Sequence, residues 1–426
     1  MKPARWIKNF EQLALTPQRE LVLQIAEAGF DAIDTEKAIG DQVRLINHSL
    51  IVKNSIFDLE KFENIYVIGF GKASCKAAFA LEKILGNKIR DGIAIGLKPL
   101  ACEFVKTYEG THPQPSEQNV RLANDIVNMA GKLKEKDLVI TIVSGGGSAL
   151  LCWPMEECKQ AYNLYEKFLP SGGGITELNT VRKHISLLKG GGLAKILHPA
   201  TVLGLIFSDV PGNDFSLIAS GPTYKDNSTV ADAQAIIEKY GLGEFRLTET
   251  PKEEKYFKKV TNIPLVSNLT ALNAMKAYAE KAGITANIIS SQVTQDAGIA
   301  LDSLENGLQP NAAALAGGEI RLVVTKKGGK GGRNLYLGMA AIDRLGKNDI
   351  FAAIASDGMD NSDCAGVILD FSSRKKLEKQ GLNLADYIQR YDGYSLFEKL
   401  GAELIFTGPT DANVSDLMIW FKSAGI

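Results

Sequence analysis

Hydrophobic positions along this chain follow two alternating rhythms. Short continuous apolar runs of strand length are separated by longer stretches with apolar residues every three or four positions. Asn64-Ile-Tyr-Val-Ile-Gly-Phe70 is such a run, and Asp91–Leu97, Asp137–Val143 and Val202–Phe207 follow it. Helical spacing covers Lys76–Leu85 and Asn119–Leu133 between them. Upstream, Leu21, Ile25, Ala28 and Ala32 share one face of a helix over Gln18–Ala32, with Thr16-Pro17 as its start signal. Strands without polar alternation must be covered on both faces, so this rhythm predicts a parallel sheet between helices. A charged, weakly apolar stretch from Glu244 to Tyr256 interrupts it. The pattern then restarts with strands at Ile263–Val266 and Ala286–Ser290 around a helix over Ala271–Lys281. A strand or strand pair over Ala314–Val324, a helix over Leu335–Leu345, and strands at Ile350–Ala355 and Glu403–Phe406 complete it. The expected fold class is α/β, with one α/β domain over residues 1–235 and a smaller one over 236–426.

Six glycine-dense polar blocks lie along this pattern, most of them where an apolar run ends. Glycine lets a backbone approach a ligand closely and turn its N–H groups toward an anion. In Gly69-Phe70-Gly71-Lys72-Ala73-Ser74 a lysine stands at the start of a helix, a favourable place for a phosphate or carboxylate. The block is neither a dinucleotide fingerprint, since Ser74 replaces the third glycine, nor a Walker A loop, since Ala73 follows Gly71-Lys72. Ser144-Gly145-Gly146-Gly147-Ser148 does not match a nucleophile elbow and reads as a backbone anion loop. One helix expected over Leu178–Gly190 would place Arg182, Ser186 and Lys189 on one face, where Arg182 and Lys189 could hold a carboxylate, while His184 reads as structural. This helix runs into the third block, Lys189-Gly190-Gly191-Gly192. Asp209, in Ser208-Asp209-Val210-Pro211-Gly212, and Asp357 each follow an apolar run and suit Mg²⁺ held between protein and phosphates. Lys326-Lys327-Gly328-Gly329-Lys330-Gly331-Gly332-Arg333-Asn334 describes an anion nest before a helix. The sixth block is Thr407-Gly408-Pro409-Thr410. Each has an ordinary alternative: a tight turn, a solvated basic face, an Asx turn or a surface hairpin.

Composition narrows the function classes. With 48 basic and 49 acidic residues the chain has no global positive field, which argues against nucleic acid as a partner. Its 5 cysteines form no C-x-x-C pair and its 4 histidines no zinc motif, so a reduced, cytoplasmic protein is expected. No signal peptide and no membrane-spanning run are recognisable.

Together the blocks resemble the glycerate 2-kinase family, the glycerate kinases with a C-terminal MOFRL domain. The likeness runs from about Tyr66 to Met418 and rests on V-I-G-F-G-K-A-S at Val67–Ser74, S-G-G-G-S-A-L-L at Ser144–Leu151, and R-K-H-I-S-L-L-K-G-G-G-L-A at Arg182–Ala194. Ser208–Asp214, Ile218–Thr223, Gly331–Asn334 and T-G-P-T-D-A-N-V at Thr407–Val414 add to it. The resemblance implies a Rossmann-like three-layer sandwich followed by a MOFRL-type domain, with an active site in the interdomain cleft. It implies phosphorylation of D-glycerate to 2-phosphoglycerate from ATP with Mg²⁺. Lys72 and Arg333 take the family's catalytic positions, with Asp209 as metal ligand or proton acceptor and Asp357 as the other metal candidate. Lys330, Gly331, Gly332, Asn334, Thr407 and Asn413 join the 144–148 loop as substrate or phosphate ligands. A homodimer is compatible with this reading. The chain departs from the family at Thr111 before His112-Pro113, at Gly192, at Ile320-Arg321, at Leu335-Tyr336 and at Asp411-Ala412. Two other functions stay open at this point: a hydroxypyruvate reductase-type oxidoreductase, and a non-catalytic binder of a nucleotide or hydroxy acid.

Overall fold

The structure, a computed structural model, describes residues 5–210, 214–325 and 328–425. Of the positions singled out above, Pro211, Gly212, Asn213, Lys326 and Lys327 lie outside the described residues. The described chain forms two compact units, one from residues 35–210 and 214–265, the other from residues 5–34 and 266–425.

In the first unit an antiparallel meander of β1 (Val43–Ile46), β2 (Ser49–Val52) and β3 (Ser55–Asp58) precedes the main sheet. That sheet contains β4 (Asn64–Phe70), β5 (Ile89–Gly96), β6 (Val105–Glu109), β7 (Asp137–Ser144), β8 (Thr201–Phe207) and β9 (Val260–Val266). Their spatial order is β6-β5-β4-β7-β8-β9, and the strands from β4 to β8 pair in parallel. Every residue of β7 is buried, which is why its sequence lacks polar alternation. The order grows outward from β4 on one side and resumes on the other at β7. The loops leaving β4 and β7 therefore diverge, and such a reversal point is where open α/β sheets bind ligands.

The second unit holds β10 (Thr285–Val293), β11 (Ala312–Gly318), β12 (Asp349–Ala355), β13 (Gly366–Asp370), β14 (Leu404–Ile405) and β15 (Asp416–Lys422). The order is β10-β11-β15-β12-β13-β14, with β10 and β11 parallel and the remaining pairs antiparallel. The start of β15 thus lies beside the ends of β11 and β12, with Asp416 opposite both Gly318 and Ala355. Trp420 and Phe351 meet edge to face at 5.5 Å in its core.

Helix Pro17–Ile33, whose N-terminus is capped by the Thr16 hydroxyl accepting from the Arg19 N–H, belongs to this second unit. It packs on helix Asn268–Lys281, and a Cβ at Gly29 would stand 2.9 Å from Met275 Cγ, so glycine sets their approach. The units divide between Leu265 and Val266, whereas the hydropathy pattern placed the change near residue 235. Helix Val230–Lys239 stays with the first unit because Ile237 and Leu242 pack on Leu164, Phe168 and Val181. The strand expected over Ala314–Val324 ends at Gly318, whose φ of +135° turns the chain. Among the described residues no helix is long and apolar enough to cross a membrane.

Candidate active site

In the first unit the ends of β4 and β7 are locked together. Gly71 has φ +121°, and a Cβ there would fall 2.1 Å from Ser144 Oγ, so only glycine lets the two loops close. Ser144 Oγ accepts from the Ala73 N–H at 3.1 Å, and the Lys72 N–H donates to the Gly145 carbonyl at 2.9 Å. Ser74 Oγ donates to the carbonyls of Gly71 and Ile95 at 2.8 and 2.7 Å. The backbone of Lys72 is thereby fixed at the reversal point.

Other side chains gather on the glycines that follow Ser144. A Cβ on Gly145 would lie 2.0 Å from Asp209 Oδ2, so the carboxylate after β8 rests on that glycine. A Cβ on Gly146 would lie 3.0 Å from His112 Cδ2, 3.1 Å from its Nε2 and 3.3 Å from Lys72 Cγ. Lys72, His112 and Asp209 thus border one pair of glycines, while Gly147 faces inward toward Ala219 and Phe70. The protein packed around His112, together with the Lys72 charge, lowers its imidazole to about 4, so the ring is neutral at physiological pH. Sequence reasoning noted His112 only as part of a motif; a neutral imidazole carries no spacing signal.

A chain of polar groups joins this loop to Arg182. Ser148 Oγ and Ser220 Oγ share a hydrogen bond at 3.0 Å, Ser220 Oγ donates to Asn179 Oδ1 at 2.9 Å, and Arg182 Nη1 donates to the same oxygen at 3.3 Å. Ala219 and Ser220 take positive φ values of 51° and 60°, a conformation costly for residues with a Cβ, and this turns Ser220 toward the network. Arg182 lies 4.6 Å from the Tyr165 ring and, among the described residues, has no carboxylate within ion-pair distance. Burial lowers its pKa, which marks a cation that a carboxylate ligand would stabilise.

Lys189 is different. The helix expected to carry it stops at His184, because the Ser186 hydroxyl accepts from the N–H groups of Leu188 and Lys189 and turns the chain. Lys189 Nζ is paired with Glu157 and donates to the Leu151 carbonyl at 2.9 Å; the two side chains are only 3% and 2% exposed. Glu157 also accepts from Ser186 Oγ and the Trp153 N–H. The expected carboxylate anchor is a buried structural ion pair. The glycines after it serve the fold as well, since Gly190 and Gly191 donate to the carbonyls of Ser220 and Gly221. His184 is buried with Nδ1 2.9 Å from the Thr180 carbonyl, the structural role expected of it.

In the second unit the anion nest already holds an anion. Asp360 accepts from the N–H groups of Gly332 and Leu335 through Oδ2, at 3.1 and 2.8 Å, and from Asn334 through Oδ1 at 3.1 Å. It caps helix Arg333–Ala341, and a Cβ on Gly332 would fall 2.4 Å from Asp360 Oδ1. The Gly332 and Asn334 backbone, expected to cradle a ligand phosphate, thus binds the protein's own carboxylate, while the Gly331 carbonyl accepts from Asn361 Nδ2 at 3.2 Å. Composition reveals a nest but not which anion fills it. Lys330 pairs with Asp363 at 2.6 Å and lies over the Tyr394 ring at 3.5 Å. Arg333, by contrast, is about two-fifths exposed, between Glu319 and Asp416. Asp360→Ala should lower stability by about 2 kcal/mol, the upper range for a lost cap, because three N–H groups lose their acceptor. Urea unfolding would measure this, and Asp360→Asn should recover part of the loss.

Thr407 and Asn413 belong to a loop packed on the turn after β12. Thr407 Oγ1 donates to the Gly408 carbonyl, Asn413 Oδ1 accepts from the Ser415 N–H, and the Thr410 N–H donates to the Asp357 carbonyl. Asp357 Oδ1 accepts from the Met359 N–H at 3.1 Å. Among the described residues no three His, Cys, Asp or Glu side chains cluster as a metal site. A carboxylate at a strand end, such as Asp209, suits an ion that shares its ligands with phosphates and water. The departures from the family pattern divide in kind. Ile320 and Leu335 are core residues, and Tyr336 stacks on Tyr391 at 6.0 Å, whereas Arg321 and Asp411 are exposed.

Comparison with known proteins extends this geometry. Residues 21–250 match a family described as a domain of unknown function, DUF4147, and residues 312–416 match the MOFRL family. The chain is 33% identical over 435 residues to a glycerate 2-kinase of Pyrococcus horikoshii, covering 94% of this chain and 96% of that protein. It is 32% identical over 426 residues to a D-glycerate 2-kinase of Thermotoga maritima, covering 94% and 97%. The crystal structure of a glycerate kinase from Thermotoga maritima matches with a TM-score of 0.82 at 31% identity, over 95% of this chain and 99% of that one.

Proposed function

The chain belongs to the glycerate 2-kinase family, and from that premise we propose that it transfers the γ-phosphoryl group of ATP, with Mg²⁺, to the 2-hydroxyl of D-glycerate. The observation that carries this reading is the gathering of Lys72, Asp209 and the Gly145-Gly146 backbone at the reversal point of a parallel sheet. Phosphoryl transfer asks a protein mainly for positioning and charge stabilisation, and these residues offer both. Arg182, short of a carboxylate partner among the described residues, would receive the glycerate carboxylate, a planar anion matched to its fork. Lys72 would stabilise charge on the transferring phosphoryl group, and Asp209 would accept the hydroxyl proton or meet the metal. Arg333 would hold phosphoryl oxygens. Asp209 or Asp357 would hold Mg²⁺ together with the phosphates, and the ion would supply charge neutralisation there.

The test is ³¹P NMR of the protein with Mg-ATP and D-glycerate, with L-glycerate and tartronate as parallel acceptors. A 2-phosphoglycerate resonance is expected with D-glycerate. A 3-phosphoglycerate resonance would reject the regiochemistry, and no transfer to any acceptor would reject the kinase reading.

A further inference from the structure

Arg333 opens its helix, and two unlike carboxylates hold its guanidinium. Glu319 Oε2, just beyond β11, lies 2.8 Å from Nη1 and is about one-third exposed. Asp416 Oδ2 accepts from Nε at 3.4 Å and is buried. Asp416 cannot swing away. Its other oxygen accepts from Asn334 Nδ2 at 2.8 Å, and its backbone is the first position of a strand flanked by Gly318 and Ala355. The guanidinium is therefore referenced to the middle of the sheet, and neither contact engages Nη2. A buried acid beside Glu319 and Asp360 is a costly choice at a position where the strand pairing needs only a backbone.

We propose that Asp416 is a positioning residue: with Glu319 it braces Arg333 so that the remaining edge of the guanidinium faces phosphoryl oxygens. This rests on the reading of Arg333 as a phosphoryl contact in the proposed kinase. The groups facing Asp416 are Arg333 and Asn334 of the helix, Glu319 after β11 and Asp360 after β12. Burial raises the Asp416 carboxyl to about 7, with Arg333 pulling it down and Glu319 and Asp360 pushing it up. Below that pH the proton removes the charge that attracts Nε, so the brace is firm on the alkaline side and slack on the acid side.

The experiment pairs NMR with kinetics on the full chain. In ¹⁵N-arginine protein, the Nε–H resonance missing from Arg333→Lys identifies Arg333. It should titrate with a midpoint near pH 7 in the wild type and lose that transition in Asp416→Asn. A wild-type resonance that does not move with pH would overturn the proposal, and this arm needs no folded Asp416 variant. In turnover assays Asp416→Asn should lower kcat about 100-fold on the alkaline side, the cost of a misaimed catalytic group. It should also flatten the wild-type rise of kcat through neutrality and leave the KM for D-glycerate nearly unchanged. In an Arg333→Ala background Asp416→Asn should cost nothing further; a second full loss there would also overturn the brace. Wild-type turnover in Arg333→Ala alone would instead sink the phosphoryl-contact reading, while the NMR titration would still decide whether Asp416 holds Arg333.

Discussion

Lys72→Ala should reduce kcat by about a thousandfold, the upper range for removing one preorganised donor from a developing negative charge, with little change in melting temperature. The two effects separate because the backbone and side chain of Lys72 do different things. Its N–H closes the turn by donating to the Gly145 carbonyl, and alanine keeps that bond. The neighbouring Gly71, Ser74 and Ser144 contacts that shape the turn involve no part of the lysine side chain. That side chain lies along Gly146, beside His112 and on the same glycine pair as Asp209, so it contributes charge at the reversal point of the sheet. Lys72→Met, which keeps most of the apolar stem, should be as inactive as the alanine variant. Turnover is read from ADP release under saturating Mg-ATP and D-glycerate, and folding from circular dichroism melts. Wild-type turnover in either variant would remove Lys72 from the chemistry.

What the sequence disclosed about this site follows from the kind of signal each part emits. Gly71 and Gly145 were legible because a glycine at the end of a buried strand has few uses besides close approach, and both are crowded by other chain atoms. The parallel sheet was legible because strands buried on both faces cannot alternate. The Arg333 environment was only half legible. Its helix start and glycines were visible, but Asp360 follows β12 and Asp416 opens β15, and no local spacing ties either of them to Arg333. Their role depends on β15 entering the sheet between β11 and β12, which is a long-range pairing. The N-terminal helix was predicted as a helix, yet its membership of the second unit was not, because Gly29 meeting Met275 leaves no trace in local spacing. Lys189 shows the opposite hazard, a helical rhythm that continues in sequence after the helix has ended at His184.

That residue also gives the sharpest stability test. Lys189→Ala should destabilise the protein by about 3–5 kcal/mol, the cost of leaving one member of a buried pair without its partner. Glu157 would keep Ser186 and the Trp153 N–H as donors but lose the only cation with which it forms an ion pair among the described residues. Burial already raises the Glu157 carboxyl above its ordinary range, and the lysine works against that rise. Without the lysine the folded state should hold its proton to higher pH still. A group whose folded pKa is raised binds more protons folded than unfolded, so stability falls as pH rises through that interval. The deficit of Lys189→Ala should therefore widen from mildly acidic to alkaline pH in urea titrations. Replacing both partners, as in Glu157→Gln with Lys189→Met, should recover much of the loss, since an apolar or neutral pair avoids the desolvated charge. The KM for D-glycerate, measured on the folded fraction, should stay near wild type. A raised KM with an unmoved urea midpoint would return Lys189 to the substrate and show that its pairing with Glu157 opens in the working enzyme.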